Sequence, residues 1–386
     1  MRKNWLLTRR GFLCLGLGTL ASIGVLTKSK AINNQARGFT VVGEASLKER
    51  AAAKGLIYGS VAKYQTLLSD REFASRFPQE CDILVAGNEL KWRGLRPSPG
   101  RFDFTKGDWL AEFARTNNIL YRGHTLVWYK GLPKWFKEKV NRQNAEQMLI
   151  KHIQQVAGHY AGKMHSWDVV NEAVHPADGR SDGLRNLPWL EFLGPDYIDL
   201  AFRTAKEADP KALLVYNENN LWYDGQLWPN TPKGEAKKVA VLKLLERLKS
   251  RGTPVDVLGI QGHLLGHHID HLNPKKLRAF LANVADLGLK IMISELDVRD
   301  QKLPADIEVR DRLVAEAYED FLSVVLDEPA VMAVMTWGLS DRETWLSKFA
   351  PRKDSLPVRP LPLDQQLNRK LAWNAMARAF DNAPMR

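Results

Sequence analysis

The 386-residue chain predicts a single (β/α)8 barrel, and three observations carry that expectation. Eight short apolar or β-branched runs recur along it, most are separated by stretches of helical period, and polar residues suited to chemistry follow the runs at their C-terminal ends. A barrel of this kind typically takes about 250 residues and can exceed 400 with insertions, so the length fits one barrel with long loops. No Ser/Gly/Pro linker, repeat or low-complexity block divides the chain.

In order, strands are expected at Ile57–Val61, Ile83–Gly87, Leu120–Val127, Ser166–Asn171, Leu213–Asn217, Val257–Gln261, Lys290–Ser294 and Ala333–Trp337. Between them, Trp109 to Ala114, Met148 to Ile153 and Val239 to Leu245 repeat apolar residues at helical spacing. Strands that alternate with helices pair in parallel, and eight of them close. That arrangement gathers Asn88-Glu89, His124, Asn171-Glu172, Asn217-Glu218, Gln261-Gly262-His263, Glu295-Leu296-Asp297 and Trp337 at one mouth of the barrel, where such folds carry their chemistry.

Residues 1–31 read as a cleavable address rather than part of the fold. Thr8-Arg9-Arg10-Gly11-Phe12-Leu13 is a twin-arginine pattern, an apolar stretch runs to Leu26, and Ser29-Lys30-Ala31 fits a small-x-small cleavage site. The stretch is glycine-broken and shorter than the roughly 20 residues a bilayer span needs, so no stable membrane anchor is expected after cleavage. Residues 32–44 form a polar lead-in and residues 45–386 the barrel; export to the periplasm or the exterior is the expectation.

The formal charge of +12 belongs partly to that segment, which holds six Lys/Arg and no acid; without it the charge is +6. With no dense basic run beside a reader motif, nucleic acid is not an expected partner. Of two cysteines, Cys14 leaves with the segment and Cys81 stays alone, which excludes an intramolecular disulfide and a cysteine metal site. His263, His267, His268 and His271 lie close in sequence with only Asp270 acidic among them, and are read as a loop cluster rather than a metal centre. No cofactor is expected.

The chemistry points to Glu172 and Glu295, each closing an apolar run. Cleavage of a sugar-sugar bond needs two carboxyl groups flanking it, one to protonate the leaving oxygen and one to stabilise or capture the oxocarbenium-like carbon. Trp92, Trp128, Trp337 and Trp345 follow strand ends, where aromatic faces suit the apolar faces of pyranose rings, whereas Trp109, Trp135 and Trp373 are expected in the core.

From Leu47 to Phe380 the chain resembles glycoside hydrolase family 10, the endo-β-1,4-xylanases. The likeness rests on Leu47-Lys48-Glu49-Arg50-Ala51-Ala52-Ala53-Lys54-Gly55-Leu56, Asn88-Glu89-Leu90-Lys91-Trp92, Arg122-Gly123-His124-Thr125-Leu126-Val127-Trp128, Trp167 to Glu172, Gln261-Gly262-His263-Leu264, Ser294-Glu295-Leu296-Asp297, and Trp337-Gly338 with Asp341 and Trp345. It implies that Glu172 is the acid/base, protonated in the ground state, with Asn171 bonding the sugar 2-hydroxyl. It implies that Glu295 is the ionised nucleophile, that His263 partners it, and that Asp297 fixes the His263 tautomer. Gln261 would order the acid/base side, Asn88, Lys91, His124 and Trp128 would grip sugars upstream of the cut, and Trp337 and Trp345 would wall them in. A carboxyl separation of about 5–5.5 Å, hence retention, and a cis His124-Thr125 peptide are further implications. Glu89 and Glu218 are read as supporting or surface carboxylates.

The sequence departs from the family at Gly87, where a glutamate is usual, at Trp128-Tyr129-Lys130-Gly131, where Trp-His-x-Gln is usual, and at Asn217-Glu218-Asn219-Asn220, where Asn-Asp-Tyr-Asn is usual. A weakened grip on the sugar upstream of the reacting ring is expected, with Gly87→Glu restoring it. Three readings stay open at this point: a monomeric retaining xylanase acting on a β-1,4-linked glycan, a glycosidase shifted to another β-linked glycan, and a barrel that binds carbohydrate without turnover.

Overall fold

The computed structural model describes residues 37–229 and 231–386, so the expected twin-arginine signal and the cleavage expected after Ala31 lie outside the described residues. Among the described residues there are nine strands: β1 Ile57–Ala62, β2 Ile83–Ala86, β3 Leu120–Gly123, β4 Ser166–Asn171, β5 Leu213–Glu218, β6 Val257–Ile260, β7 His263–Leu265, β8 Lys290–Arg299 and β9 Val331–Thr336. β1 to β6 pair with their sequence neighbours, β1 pairs with β9, β9 with β8, and β8 with β6, all in parallel, which closes an eight-stranded barrel.

The period of two explains both cores. Ile83 and Val85 point inward and join Val215, Val257, Met292, Ala333 and Met335 in the barrel interior. Leu84 and Ala86, one residue out of phase, face the surrounding helices, as do Ile291 and Ile293 on either side of Met292. Strands buried on both faces therefore read as continuous apolar runs, and this is why their positions were legible.

Two strands differ from expectation. β3 ends at Gly123 rather than Val127: the His124-Thr125 peptide is cis, and Leu126 and Val127 then resume pairing with β4 through N–H bonds of 2.9 Å to the Asp168 and Val169 carbonyls. β8 runs on to Arg299 because it has two successive partners. Gly262, at φ +77°, turns the chain between β6 and the short β7, and β7 pairs with the second half of β8 in the register His263 to Asp297. The β8–β9 register also shifts between Ile293 and Leu296, the irregularity on which Glu295 sits.

Some aromatic assignments also change. Trp373 is buried and Trp109 and Trp135 pack against the core, as expected. Trp92, expected beyond a strand end in the cleft, is instead core: it is buried, stacks on His152 at 3.8 Å and donates its indole N–H to the Leu126 carbonyl at 2.7 Å.

Candidate active site

A cleft of about 370 Å³ opens at the C-terminal ends of the strands. It is lined by Asn88, Lys91, His124, Trp128, Asn171, Glu172, Gln261, His263, Glu295, Trp337 and Trp345, which are all the predicted site residues except Asp297. Asp297 lies fully buried behind His263.

The two glutamates are tied together by amides. Gln261 Nε2 donates to Glu172 Oε1 at 3.1 Å and to Asn171 Oδ1 at 3.3 Å. Asn217 Nδ2 donates to the same Asn171 oxygen at 3.0 Å and to Glu295 Oε1 at 2.8 Å. Turning the Asn171 amide over would let it accept from Trp128 Nε1 at 3.3 Å, yet it would set its NH2 against those of Asn217 and Gln261. Asn217 cannot turn to accommodate it, because Ser294 Oγ donates to its oxygen at 2.6 Å and Glu295 needs its NH2. The Asn171 oxygen therefore faces inward. Glu172 itself adopts φ +58°, a left-handed backbone unusual for a residue with a side chain, braced by its N–H to the Asn217 carbonyl at 2.9 Å.

Around Glu295 the electrostatics are those of a charged histidine. His263 Nε2 faces Glu295 Oε2 at 3.2 Å and its Nδ1 faces Asp297 Oδ1 at 2.9 Å. Burial works against a charge on the ring, but Asp297 and Glu295 outweigh it and raise the imidazole to about 9. At neutral pH both ring nitrogens carry protons, so Asp297 stabilises an imidazolium instead of selecting a tautomer. Trp345 completes this arrangement, donating its indole N–H to the other Asp297 oxygen at 2.7 Å. The indole therefore orients a buried carboxylate as well as walling the cleft.

At Glu172 opposing influences meet. Burial pushes its carboxyl up, but the Gln261 bond and the cations Arg185, Lys130 and Lys237 together hold it below the usual value. Arg185 also donates to the Glu172 carbonyl at 2.8 Å and lies 4.6 Å over the Tyr129 ring. The Trp128-to-Gly131 segment thus bears on the charge around the acid/base through Lys130 and the Arg185 contact with Tyr129, and Gly131 within it adopts φ +69°, a conformation that favours glycine.

His124 reaches the cleft from a buried position, with Nδ1 2.8 Å from Asp168 Oδ2, while Arg122 pairs with the other Asp168 oxygen at 2.5 Å. Lys91 donates to Asn88 Oδ1 at 3.1 Å and sits 5.4 Å over Trp128; burial lowers its ammonium, against the pull of Glu295, Glu89 and Glu172. Glu218 is neither surface nor catalytic: it forms a fully buried pair with Lys237 at 2.8 Å, and Lys237 also holds Asn219 Oδ1 at 2.6 Å. His268, Asp270 and His271 bring ligand atoms within 4.8 Å of one another in the 3-10 turn Gly266–His271, and none of the three lines the cleft.

Sequence reasoning gave no role to Asn217, Asp168, Lys237, Lys63 or Glu343. Lys63 and Glu343 line the cleft and pair with each other. Asn217 was placed at the barrel mouth as the polar end of β5 but given no part in holding the glutamates; the others carried no pattern of their own.

Two amide-linked glutamates at the mouth of a (β/α)8 barrel, with a cationic histidine beside one of them, define a glycoside hydrolase. The family model for glycosyl hydrolase family 10 matches residues 46–379, and the chain belongs to that family. It is 33% identical over 366 residues to endo-1,4-beta-xylanase 1 of Humicola insolens, covering 91% of this chain and 78% of the other. It is 34% identical over 274 residues to endo-1,4-beta-xylanase B of Thermotoga neapolitana, covering 70% and 73%. Among solved structures, xylanase 10B of Thermotoga petrophila RKU-1 in complex with xylobiose superposes with a TM-score of 0.78 at 32% identity, covering 89% of this chain and 99% of that one.

Proposed function

We propose that this enzyme hydrolyses β-1,4-xylosidic bonds within xylan or xylo-oligosaccharides with net retention, as a monomer whose single chain builds the cleft. The observation that carries the reading is the hydrogen-bonded run from Glu172 through Gln261, Asn171 and Asn217 to Glu295, which ties the two carboxyl groups into one network in the cleft. Glu172, once protonated, gives its proton to the leaving oxygen while Glu295 attacks the anomeric carbon; water then attacks the glycosyl-enzyme with Glu172 acting as base. The His263 imidazolium faces the carboxylate that is consumed and regenerated. A substrate that fills the cleft expels water around Glu172, which favours its neutral form at the moment it must act as an acid.

Sugar release from beechwood xylan, set against β-glucan and mannan, tests the substrate. A β-configured first product by proton NMR, with turnover abolished in Glu295→Ala and retained for good leaving groups in Glu172→Ala, tests the mechanism. Greater release from β-glucan or mannan would favour the second reading, a shift of substrate that the rebuilt Gly87, Gly131 and Asn219 positions motivate. For location, we infer export by the twin-arginine route to the periplasm or the exterior, on the strength of Arg9-Arg10 and the apolar stretch after them. Arg9→Lys with Arg10→Lys should trap active enzyme in the cytoplasm; undiminished export would defeat that inference.

A further inference from the structure

We propose that Glu343, held by Lys63, is the carboxylate that grips the sugar next to the reacting ring on the retained side, and so sets what the enzyme gains from a second sugar there. The inference rests on the xylosidic reading above. Glu172 protonates the leaving oxygen, so the departing sugars lie on its side of the cleft, towards Asn219 and Trp228. The retained sugars then lie towards the ends of β1 and β2, at Lys63, Gly87 and Lys91.

At that end the wall is built unusually. Gly87 offers no side chain, and a Cβ placed there would lie 3.2 Å from Lys63 Cγ, so the lysine stem covers the gap. Lys63 Nζ then pairs with Glu343 Oε1, and both side chains remain accessible, 40% and 37% exposed. The other acid nearby is already used: Glu89 accepts the backbone N–H groups of Tyr64 at 2.9 Å and Asn88 at 2.8 Å with its two oxygens. Glu343 Oε2 accepts no hydrogen bond among the described residues.

The loop that carries Glu343 is anchored by the two residues just before it. Arg342 pairs with Asp70 at 3.0 Å, and buried Asp341 pairs with Lys370 at 2.8 Å. A carboxylate anchored in this way, with one oxygen free, suits the neighbouring hydroxyls of a pyranose, which are hydrogen-bond donors; Lys63 keeps protons for a ring or hydroxyl oxygen. An interaction with a sugar remote from the reacting carbon raises turnover when it is realised more fully in the transition state.

The test compares kcat/KM on 4-nitrophenyl β-xyloside and β-xylobioside for the wild type, Glu343→Gln, Lys63→Ala and the charge-swapped double variant K63E/E343K. Glu343→Gln should lower the bioside value roughly tenfold and leave the xyloside value within about twofold, and Lys63→Ala should act in the same direction. The swapped variant keeps the ion pair but presents an ammonium, so its bioside advantage should stay reduced. An unchanged ratio in Glu343→Gln, an equal fall on both substrates, or a swapped variant with the wild-type ratio would each overturn the proposal; the last would make the pair a structural strut. Wild-type enzyme inactive on both xylosides but active on the aryl cellobioside would instead strike at the xylosidic reading. The same ratio taken on glucoside and cellobioside would then decide the role of Glu343.

Discussion

Asn217 donates to Glu295 at 2.8 Å while accepting from Ser294 at 2.6 Å, so one buried amide orients one oxygen of the nucleophilic carboxylate while His263 holds the other at 3.2 Å. The room for that amide comes from Gly259 on β6, where a Cβ would lie only 2.2 Å from Asn217 Oδ1. Gly259→Ala must therefore displace the amide. The expected cost is about 1–3 kcal/mol of stability from overpacking, with a fall in kcat of roughly a hundredfold as Glu295 loses its alignment. Thermal unfolding and kcat on xylobioside check both parts. A lower melting temperature with undiminished kcat would mean that Asn217 does not orient Glu295.

Lys130 gives the acid/base a testable pH signature. The acid must be protonated at the start of the cycle, so activity falls as pH rises through the pKa of Glu172 in the free enzyme. Lys130 is one of the cations that lower that pKa, along with Arg185 and Lys237, so removing it should raise the pKa. Lys130→Met is expected to move the alkaline limb of the kcat/KM profile to higher pH, with little change in the acidic limb. A limb that stays in place or moves down would show that the ammonium is screened from Glu172.

Stability should carry the mark of His263. Its folded pKa of about 9 lies above the usual 6.5 because Asp297 and Glu295 outweigh burial. A raised folded pKa stabilises the protein fully below pH 6.5, and this contribution is lost as pH climbs through 9. Its size is up to about 3 kcal/mol by linkage. The stability advantage of wild type over His263→Gln in urea unfolding should thus shrink steadily between pH 6.5 and 9. A constant difference across that window would mean that the ring is not an imidazolium in the folded protein.

How far the sequence could be read follows from these same residues. The strands were legible because burial on both faces leaves an apolar run whatever the loops do, and Glu172 and Glu295 were legible because they close such runs, whereas the parts of His263 and Asp297 came from the family resemblance. The continuation of β8 to Arg299 was not, since it depends on a second partner strand created by the turn at Gly262. The charge state of His263 and the lowering at Glu172 were equally hidden. Each is a sum over cations and carboxylates far apart in sequence, such as Arg185 and Lys237 beside Glu172, and no local pattern encodes the balance. Trp92 was misplaced for a related reason: position just past a strand does not tell whether an indole turns to the cleft or, as here, onto His152.

The expectation for Gly87 changes most. From sequence, restoring a glutamate there should strengthen the grip on the second sugar. The structure places Lys63 Cγ 3.2 Å from the new Cβ, with the lysine already committed to Glu343. A glutamate at this position would crowd the stem and compete with Glu343 for the ammonium, since both carboxylates would face one cation. Gly87→Glu alone is therefore expected to leave the preference for aryl xylobioside over aryl xyloside unchanged or lower. With Lys63→Ala in the background the space opens and the new carboxylate is free to meet sugar hydroxyls. The ratio of kcat/KM values should then rise roughly tenfold above that of Lys63→Ala alone, the scale of one hydrogen bond to a charged group. A clear rise from the single substitution in the otherwise native protein would show that Lys63 yields without cost, and that position 87 lacks only its side chain.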